Sequence, residues 1–177
     1  MECVLERIEM SQKIALQAKH LEGVKIGSVR GMLVYLEGDV GDETIFVNVY
    51  RSGKTKHGTY QQIADLSLSK EYFKNAYHVD LMRVDHRFQG HGIAPLIYRY
   101  IMKKLGIIIQ AGTMQSAGGR KLWAQLAKTK GVAIFAAYRR SKELVRIELD
   151  KEDEELHHES IKMYDGPRSV YTFAMAM

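Results

Sequence analysis

Val84-Asp85-His86-Arg87-Phe88-Gln89-Gly90-His91-Gly92-Ile93-Ala94 separates two stretches of different periodicity, and its reading decides the fold. Upstream, His78-Val79-Asp80-Leu81-Met82-Arg83-Val84 is apolar and β-branched in the manner of a buried strand. Downstream, Ile93, Leu96, Ile97, Tyr100, Ile101 and Leu105 recur at helical spacing and predict one apolar helix face. The glycines at 90 and 92 let backbone amides turn inward with no Cβ in the way. Unpaired amides at a helix start, reinforced by the helix dipole, attract anions. Pro95 supports the start, because its missing N–H would have been unpaired in any case. Strand, loop and helix together predict a phosphate cradle.

The dinucleotide fingerprint needs three glycines spaced G-x-G-x-x-G, and this loop does not supply them. Gln89-Gly90-His91-Gly92-Ile93-Ala94 fits Gln/Arg-x-x-Gly-x-Gly/Ala instead, and Val84 and Phe88 match a Val-x-Pro-x-Tyr lead-in with His86 in the proline position. This resembles the acetyl-CoA signature of the GNAT superfamily of N-acetyltransferases. The plainer alternative is a glycine-rich turn into an ordinary helix. The resemblance implies an α+β fold with a mixed, mostly antiparallel sheet, a central splayed strand and flanking helices.

The 177 residues suit a single domain with a substantial core. Runs such as Ile107-Ile108-Ile109 are far too short to cross a bilayer. Met1-Glu2-Cys3 opens without an apolar stretch and predicts no secretory signal. The one cysteine, Cys3, excludes an internal disulfide framework and fits a reducing, cytoplasmic setting. The net charge of +5 and pI near 9.2 allow a nucleic-acid partner. No motif supports one: the positive residues are scattered, and the long one-sign run is acidic, Glu148 through Glu159 with Lys151 inside it. The basic balance also suits an anionic cofactor.

Residues 2–20 read as an amphipathic helix, or as a short strand leading into one. Residues 23–36 read as a strand, the Gly/Asp-rich residues 37–42 as a turn, and Thr44-Ile45-Phe46-Val47-Asn48-Val49-Tyr50 as the cleanest strand, closing a hairpin. Residues 59–68 predict a weaker strand and 69–75 a short helix. Gly53-Lys54-Thr55 imitates the end of a P-loop, but Asn48 stands where that motif needs glycine and the flanks read strand to strand. It is a basic hairpin loop. Gly106 predicts a C-cap, residues 107–111 a buried strand, Ser116 an N-cap, and Leu122, Trp123, Leu126 and Ala127 the inner face of a second helix. Residues 132–138 and 169–175 predict strands, with a further one over 144–149. Residues 1–177 are thus read as one GNAT-like domain, with 139–168 a polar, partly acidic insertion before the last strand.

A second family pattern, Asn-x-x-Ala-x-x-Leu-Tyr on a helix, meets Ser116-Ala117-Gly118-Gly119-Arg120-Lys121-Leu122-Trp123. Spacing is kept, with Ser for Asn, Gly for Ala and Trp for Tyr; this helix is similar to those of small phage-type members. The two patterns cover residues 77–138. In many relatives that tyrosine protonates the departing CoA thiolate, whereas the indole of Trp123 donates a hydrogen bond but is no useful acid. Core packing is the plainer role for Trp123.

The resemblance implies that backbone groups of Met82 and Val84 bind the pantetheine arm of acetyl-CoA. It implies too that amides of Gln89, Gly90, His91, Gly92, Ile93 and Ala94 hold the pyrophosphate, with Ser116 and Trp123 nearby. The His91 imidazole is incidental. An attacking amine must lose a proton. Strict alternation would put Val84, Met82, Asp80 and His78 on one face, and Tyr77 and Arg83 on the other. Asp80 is the first candidate base, with His78 as its partner or alternative; a structural carboxylate and a packed histidine are the plainer readings. His157-His158 lacks the i, i+4 spacing of a helical zinc pair, so no metal is expected. The expected activity is acetyl transfer to a primary amine of a protein or small molecule, without a membrane partner. The alternative is an inactive scaffold that binds a partner.

Overall fold

A computed structural model describes residues 19–55, 58–70, 76–111, 116–138, 144–147 and 170–177. Residues 2–18 of the helix predicted over 2–20, residues 71–75 of the short helix predicted over 69–75, and the His157-His158 pair lie outside them. The described residues form one nine-stranded sheet with two α-helices. In chain order the strands are β1 (Lys19–Val29), β2 (Met32–Val40), β3 (Thr44–Thr55), β4 (Gly58–Lys70), β5 (Ala76–Val84), β6 (Ile108–Gln110), β7 (Val132–Tyr138), β8 (Leu144–Ile147) and β9 (Val170–Ala176). The helices are α1 (Ile93–Leu105) and α2 (Ala117–Ala127).

Sheet order is β1-β2-β3-β4-β5-β6-β9-β7-β8, and every neighbouring pair is antiparallel except β5 with β6. The α+β class and the mostly antiparallel, mixed sheet therefore follow as predicted. Among the described residues, no helix is long and apolar enough to cross a membrane.

Alternation sets the core. Leu36 lies opposite Val49, Val47 opposite Leu66, and Leu66 opposite Met82, so successive strands turn their branched side chains to one face. All but the half-buried Met82 are fully buried there. Helix α1 covers this face with Ile93, Ile97, Ile101, Tyr98 and Met102. The predicted stripe is rotated slightly: Leu96, Tyr100 and Leu105 are only half-buried, because α1 packs against α2 as well as the sheet. Gly106 caps α1 as expected, with its N–H on the Met102 carbonyl and two lysines in the last turn facing the negative dipole end.

Several boundaries differ from the sequence reading. Lys19 and His20 are in β1, not in a helix, and the strand expected over residues 23–36 is broken by a turn at Arg30-Gly31. The turn expected over 37–42 falls later, because Glu37, Gly38, Asp39 and Val40 stay in β2 paired with β3. Gly53-Lys54-Thr55 continues β3 instead of looping out. Ser69, expected in a helix, extends β4.

Candidate functional site

The site begins where the sheet divides. Strand β5 pairs with β6 only through Ala76 with Ile108, Tyr77 with Ile109, and His78 with Gln110. Beyond Gln110 strand β6 ends, while β5 continues to Val84 paired with β4 alone. Gln110 itself is buried, and its Oε1 has no hydrogen-bond partner among the described residues.

At the same point β5 carries a bulge. Ser67 lies opposite Leu81 but the next residue of β4, Leu68, lies opposite Val79, which leaves Asp80 as the extra residue. One inserted residue reverses the alternation. Strict alternation therefore fails here: Met82 and Val84 share the core face with Val79 and the buried Tyr77, not with His78. Tyr77 is anchored by its hydroxyl, which donates to the Asp42 carbonyl at 3.0 Å. The Asp80 carboxylate turns to His78, with Oδ1 3.3 Å from Nδ1, and accepts a hydrogen bond from Ser69 on Oδ2.

The loop after β5 is built by local hydrogen bonds. Asp85 accepts from the Arg87 amide at 3.0 Å and from its guanidinium at 3.1 and 2.6 Å, starting a single turn over His86–Phe88. Those bonds hold the Asp85 carboxyl well below the usual range. The guanidiniums of Arg51 and Arg87 lie over the Phe88 ring, at 5.0 and 5.8 Å from its centre. The Gln89 side chain donates to the Val84 carbonyl at 3.1 Å and so ties the loop to the strand end. That bond occupies one acceptor site which the sequence reading left to a ligand.

Gly92 caps α1 at φ 83°, a conformation that costs other residues about 1–2 kcal/mol. The Gln89 and His91 amides turn back onto the His86 and Phe88 carbonyls, each at 3.4 Å. Those of Gly90, Gly92, Ile93 and Ala94 have no such partner among the described residues and remain for an anion. The cradle is thus narrower than the run predicted.

These parts surround one cleft of about 730 Å³. It is lined from both faces of β5, by Leu81 and by Met82, so it passes through the division in the sheet. Of the predicted site residues, Asp80, Met82, Val84, Gln89, Gly90, Gly92, Ile93, Ala94, Ser116 and Trp123 all line it; His78 and His91 do not. Ser116 caps α2 by accepting from the Gly119 amide at 3.1 Å. The plainer role of Trp123 is the one observed: it is buried in the core, edge-on to Tyr98 at 6.4 Å.

Tyr98 and Ser69 were not singled out by sequence. The signal for Tyr98 was a phenol in the second turn of the helix after the glycine loop; Ser69 gave none, because its contact depends on the bulge. Burial pushes the Tyr98 phenol well above its ordinary value of 10.0. Its folded value exceeds its unfolded value, so its contribution to stability is complete below about pH 10 and is lost as pH rises further. Thermal melts from about pH 9 to 11 should show a steeper loss for the wild type than for Tyr98→Phe. Equal slopes would mean that Tyr98 ionises freely. Tyr77 and Tyr100 are also shifted upward by burial, so a smaller fall persists in the variant.

The cleft offers amides and a helix dipole for an anionic head group, a strand edge for an extended arm, and a carboxylate beside the division of the sheet. No family model, curated protein or solved structure matches the chain.

Proposed function

We propose that the protein is a GNAT-like N-acetyltransferase that moves an acetyl group from acetyl-CoA to a primary amine. The observation that carries the reading is the conjunction in one cleft of the free amides at the start of α1 and the Asp80 carboxylate at the bulge of β5. The pyrophosphate sits on the amides of Gly90, Gly92, Ile93 and Ala94, and the pantetheine arm runs along Met82 and Val84 towards the division of the sheet. Asp80 takes the proton that the amine must lose. The neutral Tyr98 phenol, at the cleft wall beside Trp123, is the hydrogen-bond donor available to the departing thiolate.

A second reading has a specific observation behind it. Trp123 occupies the place where the family resemblance implies an acid, and it is used for packing. A scaffold that keeps the cleft and acts by binding a partner would tolerate that exchange.

Isothermal titration with acetyl-CoA separates the two. The wild type is expected to bind, and Gly92→Glu to bind about 100-fold more weakly or worse, because a carboxylate then faces the pyrophosphate. A Cβ at Gly92 meets no atom within 4 Å, so the variant is expected to fold despite its strained φ. A wild type that takes up no acetyl-CoA would leave the scaffold reading in possession.

A further inference from the structure

Asp80 is the one predicted base that faces the cleft, and a carboxylate on a bulge has a free rotamer unless something fixes it. Two side chains do. Ser69, directly opposite His78 on β4, donates its hydroxyl to Oδ2, and His78 meets Oδ1 through Nδ1 at 3.3 Å. Both carboxylate oxygens are held by residues of two strands, while the Asp80 side chain stays 40% exposed and lines the cleft. We infer that Ser69 is a positioning residue for acyl transfer: with His78 it aims the Asp80 carboxylate at the ammonium of the acyl acceptor. This rests on the acetyltransferase reading.

The arrangement has a direct chemical use. The acceptor arrives as R–NH3+ and gives one proton to Asp80. The free amine attacks the thioester carbonyl, forming the C–N bond. The adduct collapses with cleavage of C–S, and the bonding pair leaves on sulfur. The remaining surplus proton on nitrogen passes to the thiolate, giving the acetamide and CoA–SH; Asp80 returns its proton to water. Only the first transfer needs a carboxylate in a fixed place, and a small misalignment there lowers turnover without weakening cofactor binding. A carboxylate beside Nδ1 also fixes the imidazole with its proton on that nitrogen. The His78 tautomer is therefore a reporter on Asp80 that needs no substrate.

Ser69→Ala and Ser69→Thr test the assignment, with n-butylamine as acceptor and thiol release as the assay. Ser69→Ala is expected to lower kcat about 10- to 100-fold and to leave the acetyl-CoA Kd and the melting temperature near wild type. Ser69→Thr, which keeps the hydroxyl, is expected to recover most of the loss. Nitrogen-15 spectra of the His78 ring should show the Nδ1–H tautomer in the wild type and in Ser69→Thr, and mixed tautomers in Ser69→Ala. Wild-type kcat and an unchanged tautomer in Ser69→Ala would overturn the inference. A loss of activity that threonine does not restore, with the tautomer unmoved, would overturn it as well. If the wild type binds no acetyl-CoA, the acetyltransferase reading falls, and the tautomer comparison still decides whether Ser69 holds Asp80.

Discussion

Replacing Gly38 by alanine is expected to destabilise the protein by about 3 kcal/mol or more, a large part of the roughly 5–15 kcal/mol that holds a typical domain together. Gly38 lies within β2, opposite Val47 of β3. A Cβ there would stand 2.1 Å from the Phe46 carbonyl oxygen and 2.7 Å from the Val47 Cα. Both are backbone atoms of a paired strand. They cannot move aside as a side chain would, so relief requires breaking the β2–β3 ladder under the core. Gly31 is the control: its φ is 78°, but a Cβ there meets nothing within 4 Å, so Gly31→Ala should cost only the left-handed strain, about 1–2 kcal/mol. Urea denaturation of the two variants separates collision from strain. A Gly38→Ala midpoint equal to that of Gly31→Ala would show that the strands part more easily than their register implies.

The second large effect is on chemistry. Asp80→Asn preserves shape and an acceptor oxygen but removes the base, and is expected to lower kcat for n-butylamine about 10²- to 10⁴-fold with acetyl-CoA affinity unchanged. The carboxylate is 40% exposed and lies away from the core, so the melting temperature should barely move. A variant with near-wild-type turnover would remove Asp80 from the mechanism. Turnover that falls together with acetyl-CoA affinity would place Asp80 in cofactor binding instead.

The parts of this fold legible in the sequence are those governed by local rules. The glycine loop, the α1 helix, the Gly106 and Ser116 caps and the β7 strand each follow from a few neighbouring residues, and each is where it was expected, although the buried stripe of α1 is turned towards Tyr98 and Met102. Alternation along β5 is also a local rule, and it failed because a bulge is set by pairing with β4. Nothing in His78-Val79-Asp80-Leu81 marks Asp80 as the extra residue, so the face of Tyr77 was misassigned and Ser69 went unnoticed. The cradle likewise lost two amides to turn bonds that depend on the geometry of the His86–Phe88 turn. The sequence pattern carried the lining of the cleft; the orientation of its charged group came from the partner strand.

The short parallel pairing of β5 with β6 has a mechanical meaning. Among the described residues, every backbone bond between the first five strands and the remaining four runs through Ala76, Tyr77 and His78, and the last of these rungs adjoins the buried Gln110. The two blocks are joined instead by α1, which packs on β1 and β5 of one and on β6 and β9 of the other. The sheet is thus a pair of semi-independent plates with a helical bolt across the joint. A molecule seated at the head of that bolt would tighten the joint, so occupancy of the cleft and the cooperativity of unfolding are one property of the architecture.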